Sequence, residues 1–177
     1  MLAKSNVMNS TAVSGEASDV SGSDKVAIDA LIKALYEVIS FDEGGEPDWQ
    51  RMQALFSRHA RITRVTPEGT DYLDLGGFQE LAKETFELGV YTRFHEVEVR
   101  RDERKFGALA HVLSAYETRH SPTAAEPFAR GVNSLQLIRE GDGWKVLSLF
   151  WDEERVDNPL RLKKLFEHGD VNGKADS

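Results

Sequence analysis

Four long segments of alternating apolar and polar residues follow one another in the second half of the chain, and they constrain the fold most. They run over Tyr91–Asp102, Phe106–Thr118, Phe128–Arg139 and Trp144–Trp151. Because successive side chains of a strand point to opposite faces, each segment predicts a half-buried strand. The connections, Gly141-Asp142-Gly143 among them, are typical of hairpin turns. We therefore predict a mainly antiparallel sheet.

Helical patterns precede these strands and predict the layer that covers them. Ser23 or Asp24 is a credible helix cap, and apolar residues recur behind it at helical spacing. These are Ile28, Leu31, Ile32, Leu35, Tyr36 and Ile39. The other predicted elements are a second helix from Pro47 and Asp48, short strands at Ala60–Val65 and Asp71–Leu75, a third helix at Phe78–Leu88 and a last helix from Asn158 and Pro159. This order predicts an α+β cone, with helices packed against one face of a curved sheet.

Composition narrows the classes of function. The chain has 177 residues, a formal net charge of −8 and no cysteine. The negative charge argues against binding to nucleic acid or to an anionic membrane surface, since both need clustered Lys and Arg. The lack of cysteine excludes disulfides and thiolate metal sites. No apolar run has the length of a membrane span, so we expect a cytoplasmic location.

A single domain is expected for a chain of this length. Residues 1–22 are rich in Ser, Gly, Ala and Asn without periodicity, which predicts a flexible leader. The domain is expected over residues 23–168, and residues 169–177 form a polar tail.

Alternate residues of a strand point to opposite faces of the sheet, so odd and even positions can be assigned to two faces. We predict that His95, Val97 and Val99 face the helices in the first long strand. In the later strands the same face is expected to hold Ala108, Ala110, Val112, Ser114, Tyr116, Asn133, Leu135, Leu137, Trp144, Val146, Ser148 and Phe150. A mostly apolar face with a few polar groups is typical of a small-molecule site.

The opposite face of the sheet is not fully polar. By the same parity it is expected to carry Leu109, Leu113, Val132, Leu147, Leu149 and Trp151. A contiguous apolar patch of this kind often marks an interface, so we predict a homodimer through the outer sheet face.

The order of these elements resembles that of the nuclear transport factor 2-like superfamily, and in particular its SnoaL-like type. The segments SFDEGGEPDWQRMQALFSRHARI and RGVNSLQLIREGDGWKVLSLFWDEE carry the resemblance. It implies a cone-shaped α+β fold. The superfamily includes isomerases, dehydratases, cyclases, epoxide hydrolases and plain binding proteins, so the fold leaves the chemistry open.

The resemblance also implies site residues. His95 falls where scytalone dehydratase-like enzymes carry a catalytic histidine, and Asn133 resembles their pocket asparagine. Asp42 resembles the aspartate of their Ser-Tyr-Asp segment, with Phe41 in place of the tyrosine. Tyr36 resembles the tyrosine that stabilises an oxyanion in ketosteroid isomerase. That family's aspartate base falls on Arg64 here, and Tyr116 stands about where scytalone dehydratase has a second histidine.

Three functions are consistent with these residues. As an enzyme, the chain is expected to dehydrate or isomerise a cyclic hydroxy or keto compound by cofactor-independent proton transfer. His95 would move the proton, Asn133 and Tyr36 would hold the oxygen, and Asp42 would orient a partner. Alternatively, these residues are structural, as buried histidines, amides and tyrosines often are. The chain is then a non-catalytic ligand-binding module, or an accessory subunit that binds another protein.

Arg64 lies two residues after Ile62, so both side chains are predicted to point toward the helices. A buried guanidinium is stable only with an opposite charge beside it. Asp42, Asp74 or an anionic ligand could supply that charge; otherwise Arg64 reaches solvent at the cavity rim. The other predicted ligand contacts are Tyr116, Ser114, Trp49, Phe41 and Ser148. The expected partner is a small apolar or anionic ligand. No metal-ligand spacing or phosphate-binding loop is present, so neither a metal nor a cofactor is expected.

Overall fold

The computed structural model describes residues 17–89, 91–141 and 143–167. Helices α1 and α2 cover Ala17–Ile39 and Trp49–Leu55, and α3 covers Leu75–Glu87. The six strands are β1 (Phe56–Thr66), β2 (Gly69–Leu73), β3 (His95–Phe106), β4 (Leu109–Arg119), β5 (Ala129–Glu140) and β6 (Gly143–Glu153). The short helix α4, Leu162–Phe166, follows them. The predicted leader covered residues 1–22, of which residues 1–16 lie outside the described residues and residues 17–22 belong to α1. The predicted polar tail also lies outside the described residues.

The six strands form one mixed sheet in the order β2-β1-β6-β5-β4-β3. Neighbouring strands are antiparallel except for β1 and β6, which run parallel. Helix α1 packs on this sheet through the predicted stripe, in which Ile28 and Ile32 are fully buried. N-terminal helices packed on one face of a mostly antiparallel sheet make an α+β fold, which confirms the predicted class.

Helix α1 begins at Ala17, so the prediction of a cap at Ser23 or Asp24 is wrong. Asp24 lies inside the helix and is 4% exposed. Its carboxylate pairs with Lys105 and Arg139 and accepts a hydrogen bond from the Trp144 indole at 3.1 Å. A buried carboxylate is stable in a helix when it has such partners. The next two helices have side-chain caps: Asp48 accepts a hydrogen bond from the Arg51 amide at the start of α2, and Asp74 accepts one from the Gly77 amide at the start of α3.

Two β-bulges change which residues face the helices. One lies between Glu98 and Arg100, and the other inserts Leu147 into β6. An extra residue in one strand reverses the parity beyond it. In β6, Val146 faces the helices as predicted, but beyond the bulge Leu149 does so and Phe150 is 41% exposed.

Several predictions about the faces are therefore wrong. Leu149 and Trp151 lie on the helix side rather than on the outer face, and Ser148 and Phe150 lie on the outer face. In β3 the predicted faces are wrong even before the bulge: Val97 and Val99 are exposed, whereas Glu96 faces the helices. The predictions for β4 and β5 hold, because no bulge interrupts their pairing.

The C-terminal segment covers part of the outer sheet face. The Arg100 guanidinium lies over the ring of Phe166 in α4, 5.2 Å from its centroid. Ala115, which pairs with Arg100 in the sheet, is fully buried although it points away from the helices. The C-terminal segment therefore covers the outer face beside Arg100 and Ala115. The part of that face around Leu113 and Phe150 stays open.

Candidate functional site

A cavity of about 200 Å³ lies between the helices and the covered face of the sheet. Helix α3 contributes an apolar wall that includes Phe78, Leu81 and Ala82. Ile62 of β1, together with Leu149 and Trp151 of β6, forms the facing wall. Ligand pockets of drug size measure roughly 300–1,000 Å³, so this cavity suits a smaller molecule.

Aromatic rings close the end of the cavity beside β3. Phe86, Tyr91, Phe94 and Phe128 all line it. Tyr91 stacks on Phe128 with ring centroids 5.2 Å apart and meets Phe94 edge-on at 5.6 Å. Phe41 lies behind this end, with its ring 4.8 Å from that of Phe86. Phe41 thus supports the wall and does not line the cavity, contrary to its predicted contact with the ligand.

A polar strip crosses the sheet beside the aromatic end. Glu96 of β3 stands opposite Thr118 of β4 in register, and both line the cavity. Asn133 of β5 and Tyr116 of β4 line it as well, at 5% and 4% exposure. Asn133 and Tyr116 therefore lie where the sequence predicted them. Glu96 was missed, since parity assigned it to the outer face.

A chain of hydrogen bonds fixes Asn133 from behind. Asn133 Nδ2 donates to Tyr36 Oη at 3.1 Å, Tyr36 Oη lies 2.7 Å from Ser114 Oγ, and Ser114 Oγ donates to Glu98 Oε1 at 2.6 Å. A hydroxyl carries one hydrogen, so Tyr36 must donate to Ser114. Tyr36 and Ser114 are buried and do not line the cavity. The structure places both of these predicted site residues behind the wall.

The pKa of Glu96 is strongly shifted. The pKa is raised to about 8, mainly by burial and in addition by the nearby Glu153 carboxylate. A hydrogen bond from Asn133 opposes the shift because it favours the ionised form. At neutral pH the Glu96 carboxyl is therefore mostly protonated and can donate a hydrogen bond into the cavity.

Tyr116 reaches the cavity across Gly131. A Cβ atom at Gly131 would lie 2.5 Å from Tyr116 Oη and 2.7 Å from the carbonyl oxygen of Asp152, too close for any other residue. Burial, with help from the Glu96 and Glu153 carboxylates, raises the pKa of Tyr116. The Tyr116 hydroxyl is thus a neutral hydrogen-bonding group.

Arg64 lines the cavity from β1, opposite Trp151 in register. Neither predicted counter-charge reaches it, because Asp74 accepts a hydrogen bond from the Gly77 amide and Asp42 pairs with His95. Within the described part of the chain, Arg64 has no carboxylate at ion-pair distance. Arg64 is half-buried, and its strand β1 is separated from β3 by three other strands of the sheet.

His95 and Asp42 do meet, but outside the cavity. His95 Nε2 lies 3.0 Å from Asp42 Oδ1, and the Asp42 side chain is mostly exposed. The backbone bridge between Phe41 and Phe94 holds the two residues together. The prediction that His95 faces the cavity is wrong, because β3 presents Glu96 there instead.

Two other predicted ligand contacts also lie elsewhere. The Trp49 indole packs against the core and donates to Glu46 Oε2 at 3.3 Å. Ser148 pairs with Gln136 on the outer face. Among the residues described, no three His, Asp or Glu side chains are grouped to hold a metal ion. In the same residues, no helix combines the length and apolar character needed to cross a membrane.

Comparison with known proteins identifies the fold. No protein-family model and no curated protein sequence matches the chain. A protein of unknown function with a cystatin-like fold from Nostoc punctiforme superposes with a TM-score of 0.59 at 11% identity, over 75% of this chain and 92% of the other. An NTF-2 like protein of unknown function from Silicibacter pomeroyi gives 0.55 at 11% identity, over 76% and 98%.

A third solved structure is that of a candidate aromatic ring hydroxylase from Novosphingobium aromaticivorans. It superposes with a TM-score of 0.54 at 15% identity, over 74% of this chain and 89% of that one. At such identities the likeness shows the fold alone. The chain thus has the cystatin-like fold of nuclear transport factor 2-like proteins, as the sequence predicted.

Proposed function

We propose that this protein binds a small, largely apolar molecule between α3 and the sheet. The observation that carries the proposal is the cavity itself, which combines aromatic and aliphatic walls with a polar strip at Glu96, Asn133 and Tyr116. Such a combination is typical of small-molecule sites. The cavity volume of about 200 Å³ suits a molecule with one ring.

Cofactor-independent proton transfer is the reaction that this site supports best. Glu96 takes the role that the sequence assigned to His95, because it lies on the cavity wall with a pKa of about 8. A general acid or base works best when its pKa lies near the operating pH. Asn133 would hold the substrate oxygen, as in dehydration or isomerisation of a cyclic hydroxy or keto compound. Glu96→Gln should then bind a confirmed substrate but not turn it over.

The alternative is a non-catalytic binding module of the same fold. If the ligand is an anion, Arg64 is the residue that would bind its charge, since its guanidinium lines the cavity without an ion pair among the described residues. We also propose that the chain forms a homodimer through Leu113 and Phe150 on the outer face, and that it acts in the cytoplasm. Turnover by the wild type but not by Glu96→Gln favours the enzyme, and ligand binding without any turnover favours the module.

A cavity-filling variant tests the proposal. Ligand that binds only the folded state raises the melting temperature by mass action. We expect single-ring ketones and alcohols to raise the melting temperature of the wild type. Ala82→Leu should abolish the rise, because Ala82 lines the cavity. Ala54→Leu, on the exposed side of α2, is the matched control and should respond like the wild type. An undiminished rise in Ala82→Leu would place the ligand elsewhere.

A further inference from the structure

Glu96 meets the cavity without a positive charge to balance it. No cation forms an ion pair with its carboxyl in the described part of the chain. Its electrostatic neighbour is Glu153 of β6, which also lines the cavity and is also negative when ionised. Arg101, further along β3, is paired with Asp29 and lies close to Glu98. This side of the cavity therefore lacks a cation.

The groups that face Glu96 from the other elements are neutral or acidic. Tyr116 of β4 and Tyr36 of α1 keep their protons because burial raises both pKa values. Asn133 of β5 and Thr85 of α3 carry no charge. The cavity's own cation, Arg64, lies on β1. Three strands, β6, β5 and β4, separate β1 from β3 in the sheet.

Aromatic rings stand next to this acidic group. Phe94 immediately precedes β3 and lines the cavity on the same side as Glu96. Tyr91 and Phe128 line it beside Phe94, at centroid distances of 5.6 and 6.2 Å. The faces of aromatic rings attract organic cations, and a carboxylate adds a charge-assisted hydrogen bond.

We propose that the cavity selects a small ring compound carrying a protonated amine, with the ammonium on Glu96 and the ring against Tyr91, Phe94 and Phe128. This inference rests on the proposed binding function and names the ligand class of that site. It does not depend on whether the ligand is turned over. An acid held by Arg64 would use neither the Glu96 carboxyl nor the aromatic end of the cavity, and it would add a negative charge to a cavity that Glu153 also lines.

Binding of such a cation is coupled to the proton on Glu96. The ammonium favours the ionised carboxylate, so the complex forms with release of a proton. With a pKa of about 8, only about a tenth of the free protein carries an ionised Glu96 at pH 7. The affinity for the amine should therefore rise about tenfold between pH 7 and pH 9 and fall again above about pH 10, where the amine itself loses its proton.

Three probes of matched shape test the proposal by calorimetry. They are cyclohexylmethylamine, cyclohexylmethanol and cyclohexanecarboxylate, each titrated into the full chain at about pH 7 and about pH 9. We expect the amine to bind at least about tenfold more tightly than the alcohol at the higher pH. Titrations in two buffers of different ionisation enthalpy should show proton release at the lower pH only.

Glu96→Gln separates charge from shape. The amide keeps the size of the carboxyl but cannot ionise, so the variant should lose the preference for the amine and its pH dependence. It should still bind the alcohol. Glu84→Gln, on the exposed side of α3, is the control and should behave like the wild type.

The outcomes distinguish this inference from the binding proposal. If the alcohol or the acid binds as tightly as the amine at the higher pH, the amine proposal is overturned and the binding function stands. If the amine preference survives in Glu96→Gln, the ammonium lies elsewhere and the proposal also fails. If no probe binds to the folded wild type, both proposals fall.

Discussion

At the scale of single residues, the cavity wall depends on hydrogen bonds that run in one direction. Ser114 donates its one hydrogen to Glu98, so the Tyr36 hydroxyl donates to Ser114. Tyr36 is then free to accept from Asn133, whose amide is held in place on the cavity wall. The sequence predicted Asn133, Tyr116 and Arg64 correctly as inward residues. It could not predict Glu96, because parity without register cannot choose between two faces that both contain plausible residues.

Glu96 should make the stability of the protein depend on pH. Its folded pKa of about 8 lies above the ordinary glutamate value, so the folded state holds the proton more tightly than the unfolded state. Stability contributed by this group is present at low pH. It is lost as the pH rises toward 8, by up to about 1.4 kcal/mol per pH unit. Denaturant unfolding of the wild type and of Glu96→Gln between pH 5 and about 8 measures the effect.

We expect the wild type to lose stability relative to Glu96→Gln over that range. Glu84→Gln serves as the control, since its side chain lies on the exposed surface of α3. A free-energy difference between the wild type and Glu96→Gln that does not change with pH would show that Glu96 titrates normally.

At the scale of elements, the bulge at Leu147 decides what β6 contributes to the cavity. Before it, Trp144 and Val146 face the helices; after it, Leu149 and Trp151 do. The alternating pattern predicts a strand, but it carries no signal for one inserted residue. For this reason the order of elements was predictable, whereas the face of Ser148, Phe150 and Trp151 was not.

Asp24 should hold α1 against the ends of the strands. Its carboxylate binds Lys105 of β3 and Arg139 of β5, and it accepts from Trp144 of β6. The hydrogen bond from Lys105 is the first cause that lowers the pKa of Asp24. Asp24→Asn removes the charge and should lower the melting temperature at neutral pH. Asp71→Asn, an exposed aspartate of β2, should leave it unchanged.

The sign of the pH effect follows from the lowered pKa. The stability from Asp24 is present above the ordinary aspartate value and is lost as the pH falls through the folded pKa. The difference in melting temperature between the wild type and Asp24→Asn should therefore narrow below about pH 4. If the two proteins melt together at neutral pH, the three partners of Asp24 do not stabilise the fold.

At the scale of the whole molecule, the helices and the C-terminal segment leave one sheet surface open. Leu109 and Phe150 are 55% and 41% exposed there, and Leu113 is partly exposed. His111 and Ser134, hydrogen-bonded at 3.1 Å, stand between them. The sequence predicted this surface from the apolar residues opposite the helices. It wrongly included Leu149 and Trp151, which β6 turns into the cavity.

This open surface should join two copies of the chain. Apolar side chains gain free energy when they leave water, and stable obligate dimers often bury more than about 2,000 Å² in total. Phe150→Glu places a charge at the centre of the surface, where it would have to be buried without a partner. We therefore expect the wild type to sediment as a dimer at micromolar concentration and Phe150→Glu to sediment as a monomer.

Val26→Glu, on an exposed site of α1, should remain a dimer. Because Phe150 points away from the cavity, the monomer should still bind ligand. A wild-type chain that sediments as a monomer would refute the dimer, and loss of ligand binding in Phe150→Glu would show that the two surfaces depend on each other.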